Sequence, residues 1–342
     1  MPDKLQTSTV KLLEARRRDE PEALAEALAR HANELIRHAR VEEARVELEE
    51  AVGIHRALEH SEDEARCMQM VASLCRLGGK VDEAVRWARD ALELVDNAGP
   101  IAVATWSELG EIELARGDTA ASATAFATAL ALGDSAGLGA AARAALLRKH
   151  AVALVNNGQH AEAALALNTA HDILTGIGDQ TNALRTLIEL ATTLHYAGEA
   201  EKCAVLVRHI IDVAPGLPDY AALADIQLLV AAQGFEKNDP AAALAASYAA
   251  SEAALRAIVP ATYFAASVSA SRAANALGDQ PEAYRVLATA WVTLADAIGS
   301  DAARAWVSPV LSALQTEWGE QVFSDVRARH DAQRRAAMAQ QA

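Results

Sequence analysis

The sequence is poor in aromatic residues, proline and cysteine. Phe, Trp and Tyr together make up 4% of the 342 residues, whereas hydrophobic residues as a whole make up 52%. A core made by this chain must therefore consist mainly of Ala, Leu and Val. An alanine-rich sequence with only nine prolines favours closely packed helices, because Ala has the best helix propensity and Pro the worst.

The chain also has no excess of positive charge. Its formal net charge is −15, and a general binder of nucleic acid or of an anionic membrane would need a basic surface. We therefore expect no nucleic-acid partner, no membrane partner and an acidic, solvated exterior. No apolar run approaches the about 20 residues of a membrane span, and residues 1–10 lack the apolar core of a signal peptide. These features predict a cytoplasmic protein.

The three cysteines fit that compartment. Cys67 and Cys75 fall on one predicted helix, about 12 Å apart along its axis, which is too far for a disulfide. Cys203 occupies a position that holds small residues elsewhere in the chain. We expect three reduced thiols in the core, as is usual for a cytosolic protein.

One stretch has a pattern that the rest of the chain repeats. Trp106, Leu109 and Gly110 lie at i, i+3 and i+4, which places them on one face of a helix. Gly117-Asp118 then gives a turn signal, and Phe126 begins the apolar face of a second helix. Because Gly110 has no side chain, it allows this second helix to come close. The stretch predicts a helical hairpin.

The hairpin pattern recurs in steps of 38 to 41 residues. Its turn signals are Ala39-Arg40, Gly79-Lys80, Gly117-Asp118, Gly158-Gln159, Gly198-Glu199, Asn238-Asp239 and Gly278-Asp279. A small residue follows five positions later in each copy: Ala44, Ala84, Ser122, Ala163, Cys203, Ala243 and Ala283. The regular spacing predicts seven similar hairpins.

This pattern resembles the tetratricopeptide (TPR) repeat, and in particular the long repeats of kinesin light chain and of bacterial TPR signalling proteins. The resemblance implies an all-α fold: a right-handed α-solenoid of about seven helical hairpins, a degenerate eighth pair and a C-terminal capping helix. We expect an N-terminal capping helix in residues 1–20, repeats in 21–299, the degenerate pair and cap in 300–338, and a disordered tail in 339–342. The chain departs from the family pattern at Glu113, where an aromatic residue is expected.

No recognisable catalytic motif appears in the sequence. There is no glycine-rich phosphate loop, no His-Glu-x-x-His and no Cys-x-x-Cys. His195 and Tyr196 could make an acid–base pair beside a turn, but a structural pair is the favoured interpretation. We therefore predict a protein without enzymatic activity and without a cofactor.

The arrangement most similar to a metal site is formed by His31, Glu34 and His38, which share one face of the first repeat's helix. Such ligands could hold Zn²⁺ with a fourth donor, but the sequence marks none, so a polar stripe is favoured and no metal is predicted. His55 and Glu59, at i and i+4, are expected to form a surface pair.

The resemblance also predicts where a partner would bind. First helices of TPR hairpins line the concave wall, and positions beside the core stripe face the groove. The candidate groove residues are Asn33, Arg37, Arg66, Gln69, Arg76, Arg148, Arg185 and Arg272. Their arginines could form a basic seam that binds carboxylates of an acidic or C-terminal peptide. Alternatively, they pair with acidic residues of neighbouring repeats.

The carboxylate clamp of chaperone-binding TPR domains is not intact. Asn33 matches its first asparagine, but Ala29, Met70, Ala104 and Glu108 stand at the other clamp positions. We therefore expect no chaperone-tail binding. The favoured function is a scaffold or adaptor that binds another protein or peptide; the alternative is a peptide- or effector-sensing module of a bacterial signalling system.

Overall fold

The computed structural model describes residues 4–18, 20–95, 99–213 and 219–341. Within these residues the chain is all-α, with seventeen helices. The helices are α1 (Lys4–Ala15), α2 (Pro21–Arg37), α3 (Val41–Ala57), α4 (Ser61–Leu77), α5 (Val81–Leu94), α6 (Pro100–Arg116), α7 (Thr119–Gly133), α8 (Ala140–Asn156), α9 (His160–Gly176), α10 (Gln180–Tyr196), α11 (Ala200–Val213), α12 (Tyr220–Glu236), α13 (Pro240–Ala257), α14 (Pro260–Ala276), α15 (Gln280–Ile298), α16 (Ser300–Trp318) and α17 (Glu320–Gln341). None of these helices, over the residues described, has both the length and the hydropathy to cross a bilayer.

Helices α2 to α15 form seven consecutive pairs, with α1 before them and α16 and α17 after them. The prediction of an all-α repeat fold is therefore confirmed. A proline inside a helix pattern predicts a kink or a restart, but helix α16 continues through Pro309. Helix α17 extends to Gln341, three residues beyond the predicted end at Met338, while Ala342 lies outside the described residues. The sequence Pro215-Gly216-Leu217-Pro218 predicts a break between the fifth and sixth hairpins, and these residues also lie outside the described ones.

The repeated turns have the backbone geometry that their residues suggested. A left-handed residue stands at the turn of each hairpin: Ala39, Gly79, Gly117, Gly158, Gly198, Asn238 and Gly278. Glycine tolerates a positive φ without steric cost, which explains why it occupies five of these seven positions. The small residue five positions later is 0% exposed in all seven copies. The repeat period read from the sequence is therefore the period of the packing.

Gly110 allows the close approach predicted for it. A Cβ atom built on Gly110 would lie 2.7 Å from Cε1 of Phe126, whose side chain is 0% exposed. The carbonyl of Gly110 accepts a hydrogen bond from Oγ of Ser122 at 2.8 Å. A Cβ atom built on Gly234 in the sixth hairpin would lie 2.9 Å from the backbone nitrogen of Ala243. A glycine therefore allows close approach of the second helix in both hairpins, to a ring at Gly110 and to the backbone at Gly234.

Aspartates begin several helices. A carboxylate oxygen accepts a backbone N–H of the first turn at Asp118, Asp219, Asp239 and Asp279. Each bond satisfies one of the N–H groups that a helix leaves free at its start. The Gly-Asp and Asn-Asp turns of the sequence thus end one helix and cap the next.

The chain forms two compact units, Met1–Thr186 and Leu187–Ala342, which divide within α10. In the first unit, the larger core contains Leu28, Leu48 and Val71, each fully buried. In the second unit, the core joins aliphatic residues of α15 and α16 to aromatic residues such as Tyr284 and Phe323. The scarcity of aromatic residues is thus reflected most clearly in the first unit's core.

The three cysteines are free, buried thiols, as expected. Burial raises the pKa of Cys67 and of Cys75 to about 11. Cys203 donates to the carbonyl of Ala191 at 3.2 Å and accepts from Nε2 of Gln233 at 3.0 Å, and burial raises its pKa as well. These neutral thiols act as small core residues and are poor nucleophiles.

Candidate functional site

Three cavities lie along the first helices of the first unit. Cavity I, between α1 and α2, has a volume of about 570 Å³. Cavity II, between α2 and α4, has about 300 Å³, and cavity III, between α4 and α6, has about 350 Å³. Volumes of this size are typical of ligand sites in proteins. The three cavities are lined mainly by residues of α1, α2, α4 and α6.

Three of the predicted groove residues share these cavities. Asn33 lines cavities I and II, and Arg66 lines cavities II and III. Gln69, one turn after Arg66 on α4, lines cavity III. Asn33 and Arg66 are exposed and Gln69 is half-buried. The structure therefore brings these three polar side chains to one surface.

Helical periodicity explains why these residues face outward. On α4, Ala65 and Met68 are buried in the core, so Arg66 and Gln69, each one position further on, point to the edge of that apolar face. On α2, Ala32 is buried and Asn33 follows it. Its amide donates to the carbonyl of Ala29 at 3.0 Å, which leaves its side-chain oxygen available to a ligand's N–H groups.

Arg66 and Arg37 pair with carboxylates of their own helices. Nη1 of Arg66 lies 2.6 Å from Oδ1 of Asp63, with 57% and 44% of the two side chains exposed. Nη1 of Arg37 lies 2.7 Å from Oε1 of Glu34. Exposed ion pairs of this kind contribute about 0–1 kcal/mol, so an incoming carboxylate can compete with Asp63 for Arg66 at little cost.

Arg76 has a different environment. Its Nε lies 2.7 Å from Oε1 of Glu108 on α6, and the two side chains are only 22% and 11% exposed. This ion pair connects the first helices of two successive hairpins. A carboxylate from a partner would have to displace the half-buried carboxylate of Glu108. Arg76 therefore serves as a structural link between two successive repeats. This is the alternative that the sequence analysis left open for the arginines.

The remaining predicted arginines lie further along the chain. Arg148, half-buried on α8, and Arg185, exposed on α10, each make polar or electrostatic interactions. In the second unit, the exposed guanidinium of Arg272 lies 4.3 Å from the ring centroid of Phe235, which is a cation–π contact. None of these three residues lines cavities I to III.

All positions of the chaperone-type clamp except Glu108 line the cavities. Ala29 and Met70 line cavity II, and Ala104 lines cavity III. These three side chains are apolar, so Asn33 is the one residue of the clamp pattern that is kept among those lining the cavities. These apolar side chains stand beside Arg66, which lines both cavities, and Arg30, which lines cavity II.

The sequence analysis did not find the walls contributed by α1. Lys11 and Glu14 of α1 line cavity I with Arg18, which follows α1, and with Glu26 and Arg30 of α2. The charged side chains that line cavity I are mixed in sign. Their position depends on the packing of α1 against α2, and no repeat pattern predicts that packing.

His31, Glu34 and His38, the possible metal ligands that the sequence analysis did not favour, are not gathered around one point: His31 and His38 have separate hydrogen-bond partners. His31 is buried, and its Nδ1 donates to the carboxylate of Glu47 on α3 at 2.7 Å. His38 donates from Nδ1 to the backbone carbonyl of Glu34 at 2.8 Å. The Oγ1 atom of Thr9 lies 3.1 Å from the other ring nitrogen of His31, so this histidine joins α1, α2 and α3.

Two further pairs from the sequence have defined positions. His195 and Tyr196 stand edge to face with ring centroids 5.6 Å apart, and Nδ1 of His195 lies 3.6 Å from Oε1 of Glu236. The expected surface pair of His55 and Glu59 is wrong, because His55 is buried and Glu59 has the left-handed φ of the turn.

No family model and no curated protein sequence matches this chain. Solved structures do match. The apo form of RapI shares 13% identity with a TM-score of 0.65, covering 86% of this chain and 84% of that one. BtubC (BKLC) from P. vanneervenii shares 16% identity with a TM-score of 0.57, covering 63% and 91%. The nearly identical TPR-like repeats of a putative kinesin light chain from Podosopora anserina share 21% identity with a TM-score of 0.51, covering 58% and 97%.

These likenesses concern the fold, since the identities are low. They agree with the repeat period, the turns and the buried small residues described above. The resemblance to the TPR superfamily inferred from the sequence is therefore confirmed at the level of fold.

Proposed function

We propose that this chain is a protein-interaction module without catalytic activity of its own, which binds an extended segment of a partner along cavities II and III. The observation that carries the proposal is the position of Arg66. It lines both cavities, is exposed, and has only a weak ion pair to give up. One side chain can thus contact a ligand that continues from one repeat to the next.

Within this wall, which also carries Glu22, Glu26, Glu62 and Asp63, Arg66 is the group that would bind an acidic or C-terminal peptide. A guanidinium binds a carboxylate through two parallel N–H groups, which gives orientation as well as affinity. Asn33 and Gln69, on either side of Arg66, offer amides that match the backbone groups of an extended peptide. Met70 and Ala104 supply the apolar floor that a side chain of the partner would cover.

The sharpest test uses a display library of C-terminal peptides, followed by fluorescence anisotropy with the selected peptide. We expect acidic residues or a free carboxylate to be enriched. Arg66→Gln should weaken binding about tenfold or more, because it removes a charged hydrogen-bond donor. Arg86→Gln is the matched control, since Arg86 is an exposed arginine on the second helix α5. Equal affinities of the two variants would refute the role of Arg66.

A second candidate is a regulatory module that changes conformation when it binds a peptide or effector. Its support is the likeness to the apo form of RapI, which extends over 86% of this chain and thus beyond the part shared with the kinesin light chain repeats. Small-angle scattering with the selected peptide separates the two candidates. A sensor should change its radius of gyration on saturation, whereas a passive scaffold should keep it.

We also propose that the protein acts in the cytoplasm. The support is chemical: Cys67, Cys75 and Cys203 are free thiols, and such thiols persist in a reducing compartment. Fractionation of cells that express the tagged chain tests this, and recovery outside the cytoplasmic fraction would contradict it.

A further inference from the structure

The turn between α3 and α4 gathers three side chains of the kinds that ligate metals. His55 lies in the last turn of α3, His60 immediately precedes α4, and Asp63 lies in the first turn of α4. One ligand atom from each lies within 4.8 Å of the others. The sequence analysis did not combine these residues, because two of them belong to different helices and one to the turn.

The backbone of the turn fixes the two imidazoles beside each other. The N–H of His60 donates to the carbonyl of His55 at 3.0 Å, and Glu59 between them has a φ of 60°. This bond closes a turn of the Schellman type, in which the two bonded residues bring their side chains together. The same bond elsewhere in the chain joins residues of other types: Leu35 with Arg40, Leu154 with Gln159, and Glu113 with Asp118. The repeat therefore does not require histidines here.

His55 is an unusual buried group. Only 5% of the residue is exposed, and among the described residues its Nδ1 atom has no hydrogen-bond partner. A buried polar atom without a partner costs free energy, and native structures contain few of them. The ring centroids of His55 and His60 are 6.1 Å apart, near the about 5 Å expected for two imidazoles on one tetrahedral zinc ion.

Asp63 supplies the third ligand and is held in place from outside the cluster. It stands three residues after His60, so the two share a helix face, and the start of α4 favours its negative charge. Arg66 donates to Oδ1 of Asp63. A carboxylate has two oxygens, so one can ligate while the other keeps the arginine, which is a common arrangement around metal ligands.

We propose that His55, His60 and Asp63 bind a zinc ion. Two neutral imidazoles and one carboxylate form a ligand set typical of Zn²⁺, whereas Mg²⁺ and Ca²⁺ prefer oxygen ligands alone. The ligand atoms must move from within 4.8 Å to about 3.3 Å of one another, a small contraction for a turn and two side chains. His55 and Asp63 also line cavity II, so water in that cavity completes the coordination.

The zinc ion would fix the joint between the first and second hairpins. It would bind α3, the turn and α4 to each other at the wall of cavity II. The inference does not depend on the proposed function, because zinc binding is measured without any partner or peptide.

The experiment titrates Zn²⁺ into the full chain after removal of metal by a chelator, with isothermal calorimetry as the readout. We expect one zinc ion per chain and a rise in melting temperature on saturation. His60→Gln and Asp63→Asn should each weaken binding about tenfold or more and abolish the rise in melting temperature. Circular dichroism without zinc establishes that both variants fold. Mg²⁺ should give no comparable heat.

His38→Gln is the matched control, because His38 also lies at a helix end in the first hairpin and is exposed. It should bind zinc as the unmodified chain does. The proposal is overturned if the unmodified chain binds no stoichiometric zinc, or if both His60→Gln and Asp63→Asn retain its affinity. It is equally overturned if His38→Gln weakens binding as much as His60→Gln, since the ligands would then lie elsewhere.

Discussion

The substitution Gly110→Ala tests the close helix contact on which the hairpins depend. A methyl group at this position would lie 2.7 to 2.8 Å from three ring atoms of Phe126, well inside an ordinary carbon–carbon contact. Phe126 is 0% exposed, so its ring is enclosed by the core and a shift of the ring would have to be accommodated there. Overpacking of this kind costs about 1–3 kcal/mol, and the repeated contact with one ring suggests the upper end.

The opposing term is the helix propensity. Ala is better than Gly in a helix interior by about 1 kcal/mol, so the net effect of Gly110→Ala should be a loss of about 2 kcal/mol in the free energy of unfolding. Gly53 provides the matched control. It lies inside α3, is exposed, and an added Cβ would meet nothing within 4 Å. Gly53→Ala should therefore stabilise the chain by about 0.5–1 kcal/mol.

The assay is urea unfolding of both variants, followed by circular dichroism and by tryptophan fluorescence. Two probes are needed because repeat proteins do not always unfold in one step. A second test adds Phe126→Leu to Gly110→Ala. The smaller side chain should cost less in that background than alone, which a double-mutant cycle measures as coupling. If Gly110→Ala proved as stabilising as Gly53→Ala, the close-contact argument would be refuted.

Three further predictions follow from the same structure. Arg76→Ala and Glu108→Ala should each destabilise the chain by about 1–3 kcal/mol, because the half-buried partner is left unpaired, and the double variant should lose less than the sum in urea unfolding. The three thiols should resist a thiol-specific reagent at about pH 8 in the native chain and react in urea, because burial raises their pKa values; labelling of the native chain at the unfolded rate would contradict this. Hydrogen bonding from Arg285 lowers the pKa of Glu282 below its ordinary 4.5, so this pair stabilises the fold above that pH and loses its contribution as the pH falls through the lowered pKa. Glu282→Gln should flatten the melting temperature against pH in that acidic range, and an unchanged curve would contradict the assignment.

The site could be predicted only in part, and the reason differs from residue to residue. Helix periodicity places Asn33, Arg66 and Gln69 beside the buried stripe of their own helices, so the sequence could identify their face. Periodicity does not show which residues of neighbouring helices contact that face. Arg66 and Arg76 have the same residue type on the same helix, yet one has an exposed partner three residues away and the other a half-buried partner on α6.

The histidines show the same limit. The spacing of His31, Glu34 and His38 places them on one helix face, but His31 forms its hydrogen bond with Glu47 on the neighbouring helix. The sequence distance between residues says which face they share, and only packing says which other helix meets that face. The cluster of His55, His60 and Asp63 is the opposite case. These residues do not share one helix, and the turn between α3 and α4 brings them together.

The sequence by itself determined the repeat: its period, the left-handed turn residues and the buried small residue of each hairpin. These features are local, because a helix, a turn and a close contact each require a residue type at a fixed spacing. Each repeat therefore shows the same residue types at the same spacing. Tertiary structure decided which charges neutralise each other, where cavities open and which histidines meet. Those outcomes depend on distances of a few ångströms between helices, and such distances arise only when the helices have packed.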